Sequence, residues 1–426
     1  MNILIKNMIL NGKKKDIFIE EGKIKKIGKK LNLKAKEKID GKGEKAVLPG
    51  LINCHTHSAM ILFRGYGDDL PLKEWLIKKI WPLEKKINED DVYWGTKLAI
   101  LEMIKTGTTC FNDMYWYGKA VIEAAKEMGL RTIVGPLIID FDKRGSKENF
   151  EKIYQNFKSE KSDLIKLAVA PHSIYGVSKE NLIWAREFAE KNNLILHMHL
   201  SETEEEVKGC LKLINLRPVE YLEKIGFLDE PRSRTSSLRG GNCVFAHSIW
   251  LNDKEIEILA KHKSNIVYNP CSNMKLASGI FPYKKLKEAG VNICLGTDGP
   301  ASNNSLDMFS EMKFASLLQK INEMDPPIAP APEIFETATK NGAKALNINA
   351  GEIKEGKLAD LILIDLNQIS FQPGHNLISD IVYSASGNCV SDLICNGRIL
   401  MRDKKVEGEK EILKEATKRA KNLTTI

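Results

Sequence analysis

The stretch PGLINCHTH, residues 49–57, decides how this chain is read. It ends an apolar run with two histidines one residue apart. In an extended strand residues i and i+2 point to the same face, so His55 and His57 both reach one metal ion from a single strand end. That is half of a metal site.

The other half has to come from other strands, and three later apolar runs end in suitable residues. LILHMHLSE places His199 and Glu202 after a strand, NCVFAHSIW places His247, and VNICLGTDGPASNN places Asp298. Zn2+ and related divalent ions accept such a histidine and carboxylate set, and a catalytic site keeps one position for water. Each residue taken alone has a plainer reading: His247 as a hydrogen-bonded core histidine, Asp298 as a turn residue or helix N-cap before Gly299-Pro300. What joins them is position. All sit at the C-terminal ends of apolar, β-branched runs, where parallel α/β barrels build their active sites.

Working outward, strand-like runs alternate with amphipathic helical stretches from Pro49 to about residue 350: GTTCFND, RTIVGPLI, LIKLAVAPH, LILHMHL, CVFAHSI, SNIVYNP and NICLGTD. With the run that ends at His57 they make eight strands, the pattern of a (β/α)8 TIM-type barrel over residues 50–350. Residues 1–49 read instead as short strands with a hairpin turn at Glu21-Gly22, and the style returns after 350 in IKEGKLADLILIDL and DLICNGRILMRDKKV. The two ends, 1–49 and 351–426, are expected to pair into one discontinuous β-sandwich, with EGEKEILKEATKRAKNL as a terminal helix. The polar stretch DEPRSRTSSLRGGN, residues 229–242, reads as a surface loop without chemistry.

Composition agrees. The 426 residues exceed the need of one barrel. A formal charge of +8, from 64 Lys+Arg against 56 Asp+Glu, is spread along the chain. The lysine runs 13–15 and 23–30 interleave with Ile and Phe at strand spacing, so a solvated sheet face is expected and a nucleic-acid partner is not. Eight cysteines lie in or beside apolar runs with no C-x-x-C pair, as suits reduced thiols in the cytoplasm. No apolar run approaches transmembrane length, so a soluble protein is expected.

PGLINCHTH, HMHLSET, His247 and LGTDGPASNNSLDM together resemble the amidohydrolase superfamily, and within it the deaminases of 5'-deoxyadenosine, 5'-methylthioadenosine and S-adenosylhomocysteine. The resemblance spans essentially the whole chain, including EIKEGKLADLILID. It implies His55, His57, His199 and Asp298 as ligands of one Zn2+ or Fe2+, Asp298 also as the base that deprotonates water, Glu202 as proton shuttle and His247 as hydrogen-bond donor to the reacting centre. A metal makes hydroxide available near neutral pH, and a carboxylic acid that cycles protons suits deamination of a purine. The acidic run Glu204 to Glu206 just beyond reads as a solvated helix start.

Binuclear relatives carry a carbamylated lysine at the end of the fourth strand; Ala170-Pro171-His172 stands there, with Lys166 too early on the strand, so one metal is implied. The resemblance also makes His172 a nucleoside contact and Glu84 the carboxylate that accepts from a ribose diol; the plainer reading of Glu84 is a solvated helical residue. Trp75 and Trp81 are candidate walls for the purine, with core packing as the alternative. Arg144 is a candidate partner for an amino-acid carboxylate, against a plain surface arginine, and no second arginine stands nearby. The implied function is hydrolytic deamination of 5'-modified adenosines to the matching inosines and ammonia, in salvage of S-adenosylmethionine by-products, with a small nucleoside as partner and a homo-oligomer by resemblance. The alternatives are a deaminase or chlorohydrolase of the same superfamily acting on guanine, cytosine or a triazine, and a hydrolysis-dead binding protein, which usually lacks a ligand.

Overall fold

The computed structural model describes residues 2–160, 162–229 and 242–424. Eight parallel strands in chain order form the central sheet: Leu51–Thr56, Thr108–Tyr115, Arg131–Ile138, Ile165–Pro171, Ile195–Leu200, Cys243–His247, Asn265–Tyr268 and Asn292–Leu295. Each coincides with one of the apolar runs read as strands. They are buried along nearly their whole length, which is why they read as continuous apolar runs rather than alternating ones. The seam between last and first strands is closed by side chains as well as backbone: Asn53 Nδ2 donates to Thr297 Oγ1 at 2.7 Å, Thr297 N to Asn53 Oδ1 at 3.0 Å, and Asp298 N to the His55 carbonyl at 3.0 Å. This stitch brings Asp298 beside the two histidines of the first strand.

The intervening helices carry their own start signals. Asn88 and Asp91 form a reciprocal capping box ahead of Glu89–Lys105, and Thr203 caps Glu204–Ile214, whose first turn is acidic as the helix dipole favours. Between the first strand and Glu89–Lys105 the chain forms the 3-10 helix Ser58–Phe63 and then three short turns, Leu72–Trp75, the π-helical Leu76–Ile80 and Trp81–Glu84, which bring Trp75, Trp81 and Glu84 over the mouth of the barrel.

Both chain ends pair into a second, mixed sheet. Leu361–Asp365 runs antiparallel to Lys45–Pro49, and the strands Asn2–Leu10, Lys13–Glu20 and Lys23–Gly28 continue from there. The hairpin turn at Glu21-Gly22 has positive φ at both residues, 50° and 72°, the primed turn that suits strand twist. Ile3, Ile5, Met8, Ile19, Val47, Leu361, Leu363 and Ile394 give this sheet a core of its own. The terminal helix Glu409–Thr424 leaves it and packs on the barrel, where Arg419 pairs with Asp91 at 3.1 Å and Asp90 at 3.0 Å. Sheet and barrel are joined by a buried pair: Arg131 of the third barrel strand meets Asp360 through two contacts of 2.6 and 3.1 Å. Of the polar stretch 229–242, residues 230–241 lie outside the described residues. Among the described residues no helix is long and apolar enough to cross a membrane.

Candidate active site

The strand-end residues converge at one mouth of the barrel. His57 directly follows the first strand, His199 lies in the fifth with Glu202 just past it, His247 ends the sixth, and Asp298 follows the eighth. Ser201, His247, Ser248 and Asp298 all have left-handed backbone, with φ of 48°, 70°, 52° and 59°. Non-glycine residues adopt this at a cost, and such strain gathers where side chains must be aimed.

The hydrogen bonds fix which ring nitrogens face inward. His57 Nδ1 donates to the Met114 carbonyl at 2.6 Å, and His199 Nδ1 to the His172 carbonyl at 2.8 Å. His197 Nδ1 donates to the Val244 carbonyl at 3.0 Å. Burial brings His197 down to about 3, so it is neutral and its Nε2 accepts from His55 Nδ1 at 2.8 Å. Three Nε2 atoms are thereby left to face one another. His57 Nε2 is 3.2 Å from His199 Nε2, and His55 and His57 Nε2 each stand 3.3 Å from Asp298 Oδ1.

Ligands about 2.1 Å from one tetrahedral ion stand about 3.4 Å apart, so these spacings are those of a single coordination sphere. Among the described residues the buried His55 Nε2 has no hydrogen-bond partner. Burial alone would lower His57, yet its contacts with Asp298 carry it up to about 9, so the spot attracts positive charge even as a proton. The Asp298 carboxyl is held well below the usual range: burial opposes this, and the contacts with His55 and His57 outweigh it. Its other oxygen accepts from Ser272 at 2.6 Å and Ser302 at 2.8 Å. This donor set fits one divalent ion.

His247 belongs to the same cluster, since ligand atoms of His55, His199, His247 and Asp298 all lie within 4.8 Å of one another. Its tautomer differs. The Asn273 amide donates to His247 Nδ1 at 2.8 Å, with Asn269 at 3.4 Å, which leaves the hydrogen on Nε2. That Nε2 points towards Glu202 Oε2, 3.8 Å away. Burial raises Glu202 above the usual carboxylate range, and Ser278 Oγ donates to its other oxygen at 3.2 Å.

A cavity of about 410 Å³ opens from this cluster, lined also by Trp75, Trp81, Glu84, His172 and Arg144. Glu84 is buried rather than solvated, and burial raises its carboxyl while neighbouring Tyr115 lowers it. His172 Nδ1 meets Ser173 Oγ at 2.9 Å, and its ring lies 4.7 Å from that of His199. Arg144 lies over the Trp116 ring at 4.4 Å, donates to the Glu84 carbonyl at 2.8 Å and is already paired with Asp142. Lys166, by contrast, is at the other end of its strand and donates to the Asn347 carbonyl at 3.0 Å.

One expectation fails. The acidic run starts a helix, but Glu206 is not solvated: its two oxygens accept from the backbone of Ser201 and Glu202, both at 2.9 Å, and so hold the turn that carries Glu202. His197 and the supports Ser272, Asn273 and Ser302 were not singled out from sequence. For His197 a signal existed, because HMH obeys the same i, i+2 rule as HTH.

Comparison with known proteins gives a consistent answer. The amidohydrolase family profile matches residues 46–400. A 5-methylthioadenosine/S-adenosylhomocysteine deaminase of Thermococcus sibiricus is 46% identical over 411 residues, covering 94% of each chain. A 5'-deoxyadenosine deaminase of Methanocaldococcus jannaschii is 46% identical over 407 residues, again 94% of each. Among solved structures, an adenosine deaminase of Xanthomonas campestris with bound zinc superposes with a TM-score of 0.92 at 31% identity, covering 100% of this chain and 99% of that one.

Proposed function

The chain belongs to the amidohydrolase family, and on that premise we propose that it deaminates 5'-modified adenosines hydrolytically, giving the matching inosine and ammonia. Residues 50–350 form the catalytic barrel, and 1–49 with 351–426 the composite domain that carries it. His55, His57, His199 and Asp298 would hold one Zn2+ or Fe2+. When bound, such an ion lowers the pKa of water and so supplies the nucleophile.

The protein's own groups then have distinct tasks. Asp298, steadied by Ser272 and Ser302, accepts a proton from the attacking water. The water oxygen adds to purine C6, and Glu202, kept protonated more readily by burial, delivers a proton to N1. His247 presents its Nε2 hydrogen to the oxygen of the tetrahedral carbon. Glu202, now a carboxylate, takes the hydroxyl proton of the tetrahedral carbon and passes it to the C6 amine; the C–N bond breaks as the C6 carbonyl forms, ammonia leaves, and the proton held by Asp298 returns to Glu202. His172 and Trp75 contact the nucleoside from the cavity wall.

The observation that carries the nucleoside reading is Glu84, a buried carboxylate in the same cavity as the histidine cluster. Two adjacent hydroxyls can add to the contacts its oxygens have with Tyr115 and Trp116, and a free base, a cytosine or a triazine offers no such diol. Eight unpaired cysteines support a reducing compartment, the cytoplasm. The test compares 5'-deoxyadenosine with its 2'-deoxy analogue in the parent and in Glu84→Ala. The parent should prefer the ribose compound in kcat/KM by about tenfold or more, and the variant should lose the preference. Equal kcat/KM in the parent would remove the diol from the account.

A further inference from the structure

Deepening the nucleoside reading, on which it rests, we propose that Asp142 sets the choice of 5' group: by occupying the guanidinium of Arg144 it makes the far end of the cavity accept uncharged 5' substituents and disfavour amino-acid tails.

The cavity has an order. Purine C6 must lie at the histidine cluster, and Glu84 marks the ribose. Arg144 comes next, fixed to Glu84 by the 2.8 Å bond from Nη1 to its carbonyl. Whatever is attached at the 5' carbon therefore meets Arg144 and its surroundings. Those surroundings are mostly apolar: Leu137, Ile139 and Trp116 line the wall, Phe141 stands with its ring 6.0 Å from that of Trp81, and the exposed Lys85 adds a cation whose field also acts on Asp142.

An arginine here would ordinarily recruit a carboxylate through its flat double-donor edge. That edge is taken. Asp142 Oδ2 accepts from Arg144 Nη2 at 2.7 Å and from Nε at 3.2 Å, while Oδ1 accepts from Nε at 3.1 Å and from the Arg144 backbone at 2.9 Å. The aspartate also begins the turn that presents the arginine, so the pair forms within one short loop at little cost in chain entropy. Both side chains are about one-quarter exposed, at 25% and 26%, so the pairing is partly screened but not dissolved in solvent. The Asp142–Arg144 pair is neutral, and an incoming carboxylate has to displace Asp142 to reach the guanidinium. A 5'-methyl or methylthio group faces no such competition.

A zwitterionic tail offers the opposite reading, in which Arg144 takes the carboxylate and Asp142 the ammonium. The two readings differ in sign. Parent, Asp142→Asn and Asp142→Ser are compared for kcat/KM on S-adenosylhomocysteine and on 5'-methylthioadenosine, with ammonia release as the readout. The asparagine keeps the backbone acceptor and removes the charge, and serine serves if that loop folds poorly with asparagine. We expect the ratio of the first substrate to the second to rise about tenfold, the scale of one charge-assisted hydrogen bond at a partly exposed site, with the gain in KM rather than kcat. The double variant Asp142→Asn/Arg144→Gln should lose that gain, because it needs the freed guanidinium. A ratio that stays level or falls, or a gain that survives in the double variant, overturns the proposal. If the parent deaminates neither nucleoside, the nucleoside reading itself has failed, a separate result.

Discussion

Replacing His197 by phenylalanine should weaken metal binding without touching a ligand. His197 Nε2 accepts the hydrogen of His55 Nδ1 at 2.8 Å, and His55 is fully buried. Phenylalanine fills the space but accepts nothing. Two outcomes are then open to His55, and both are unfavourable. It keeps the hydrogen on Nδ1 and leaves a buried donor unpaired, at about 1–3 kcal/mol, or it moves the hydrogen to Nε2 and loses the lone pair aimed at the cluster. Loss of such an orienting partner costs about 10–100-fold in metal affinity, so we expect a Kd for Zn2+ about 30-fold weaker. Competition against a chelator of known affinity measures it, with the melting temperature of the metal-free protein as a check on folding. His197→Gln, whose side-chain oxygen can accept the same hydrogen, should recover most of the loss. Parent-like affinity in His197→Phe, or a glutamine variant as weak as the phenylalanine one, would refute the tautomer argument.

Glu202→Gln keeps the shape and the Ser278 contact but cannot cycle a proton, so metal content should stay at the parent level while kcat falls by about two orders of magnitude or more; near-normal turnover would take Glu202 out of the mechanism. Asp360→Ala leaves the guanidinium of Arg131 buried and uncompensated between barrel and end sheet, where the two side chains are 2% and 1% exposed. Removal of one partner from a buried pair costs about 3–5 kcal/mol, so the urea midpoint of unfolding should fall markedly; an unchanged midpoint would mean that this joint contributes nothing to stability.

The barrel and the gathering of His55, His57, His199 and Asp298 at its mouth were legible because each depends on a local rule. Period-2 geometry pairs His55 with His57, and buried parallel strands leave unbroken apolar runs whose ends mark the catalytic face. What the sequence hides is who touches whom across the fold. The Glu204–Glu206 run looks uniformly solvated, yet Glu206 folds back onto the amides of Ser201 and Glu202, a contact set by the tertiary turn and not by helix charge. The terminal helix has an apolar stripe that names no partner, and its place on Glu89–Lys105 follows from Arg419 reaching Asp90 and Asp91, more than three hundred residues away in sequence. Arg144 reads as a free surface cation until Asp142 is seen wrapped around it. The protonation pattern of His55, His57, His199 and His247 rests on the carbonyls of Val244 (through His197), Met114 and His172 and on the Asn273 amide, contacts that no sequence motif announces.

The most direct test of the account is a metal titration of the stripped protein with ammonia release from 5'-deoxyadenosine as the readout, alongside guanine, cytosine and a chlorinated triazine. Activity on the nucleoside should rise linearly with added Zn2+ or Fe2+ and level off at about one equivalent per chain, as one set of four ligands allows, with little or no turnover of the free bases and the triazine. A plateau at two equivalents, full activity in the stripped protein, or preference for a free base or triazine over every adenosine would contradict it.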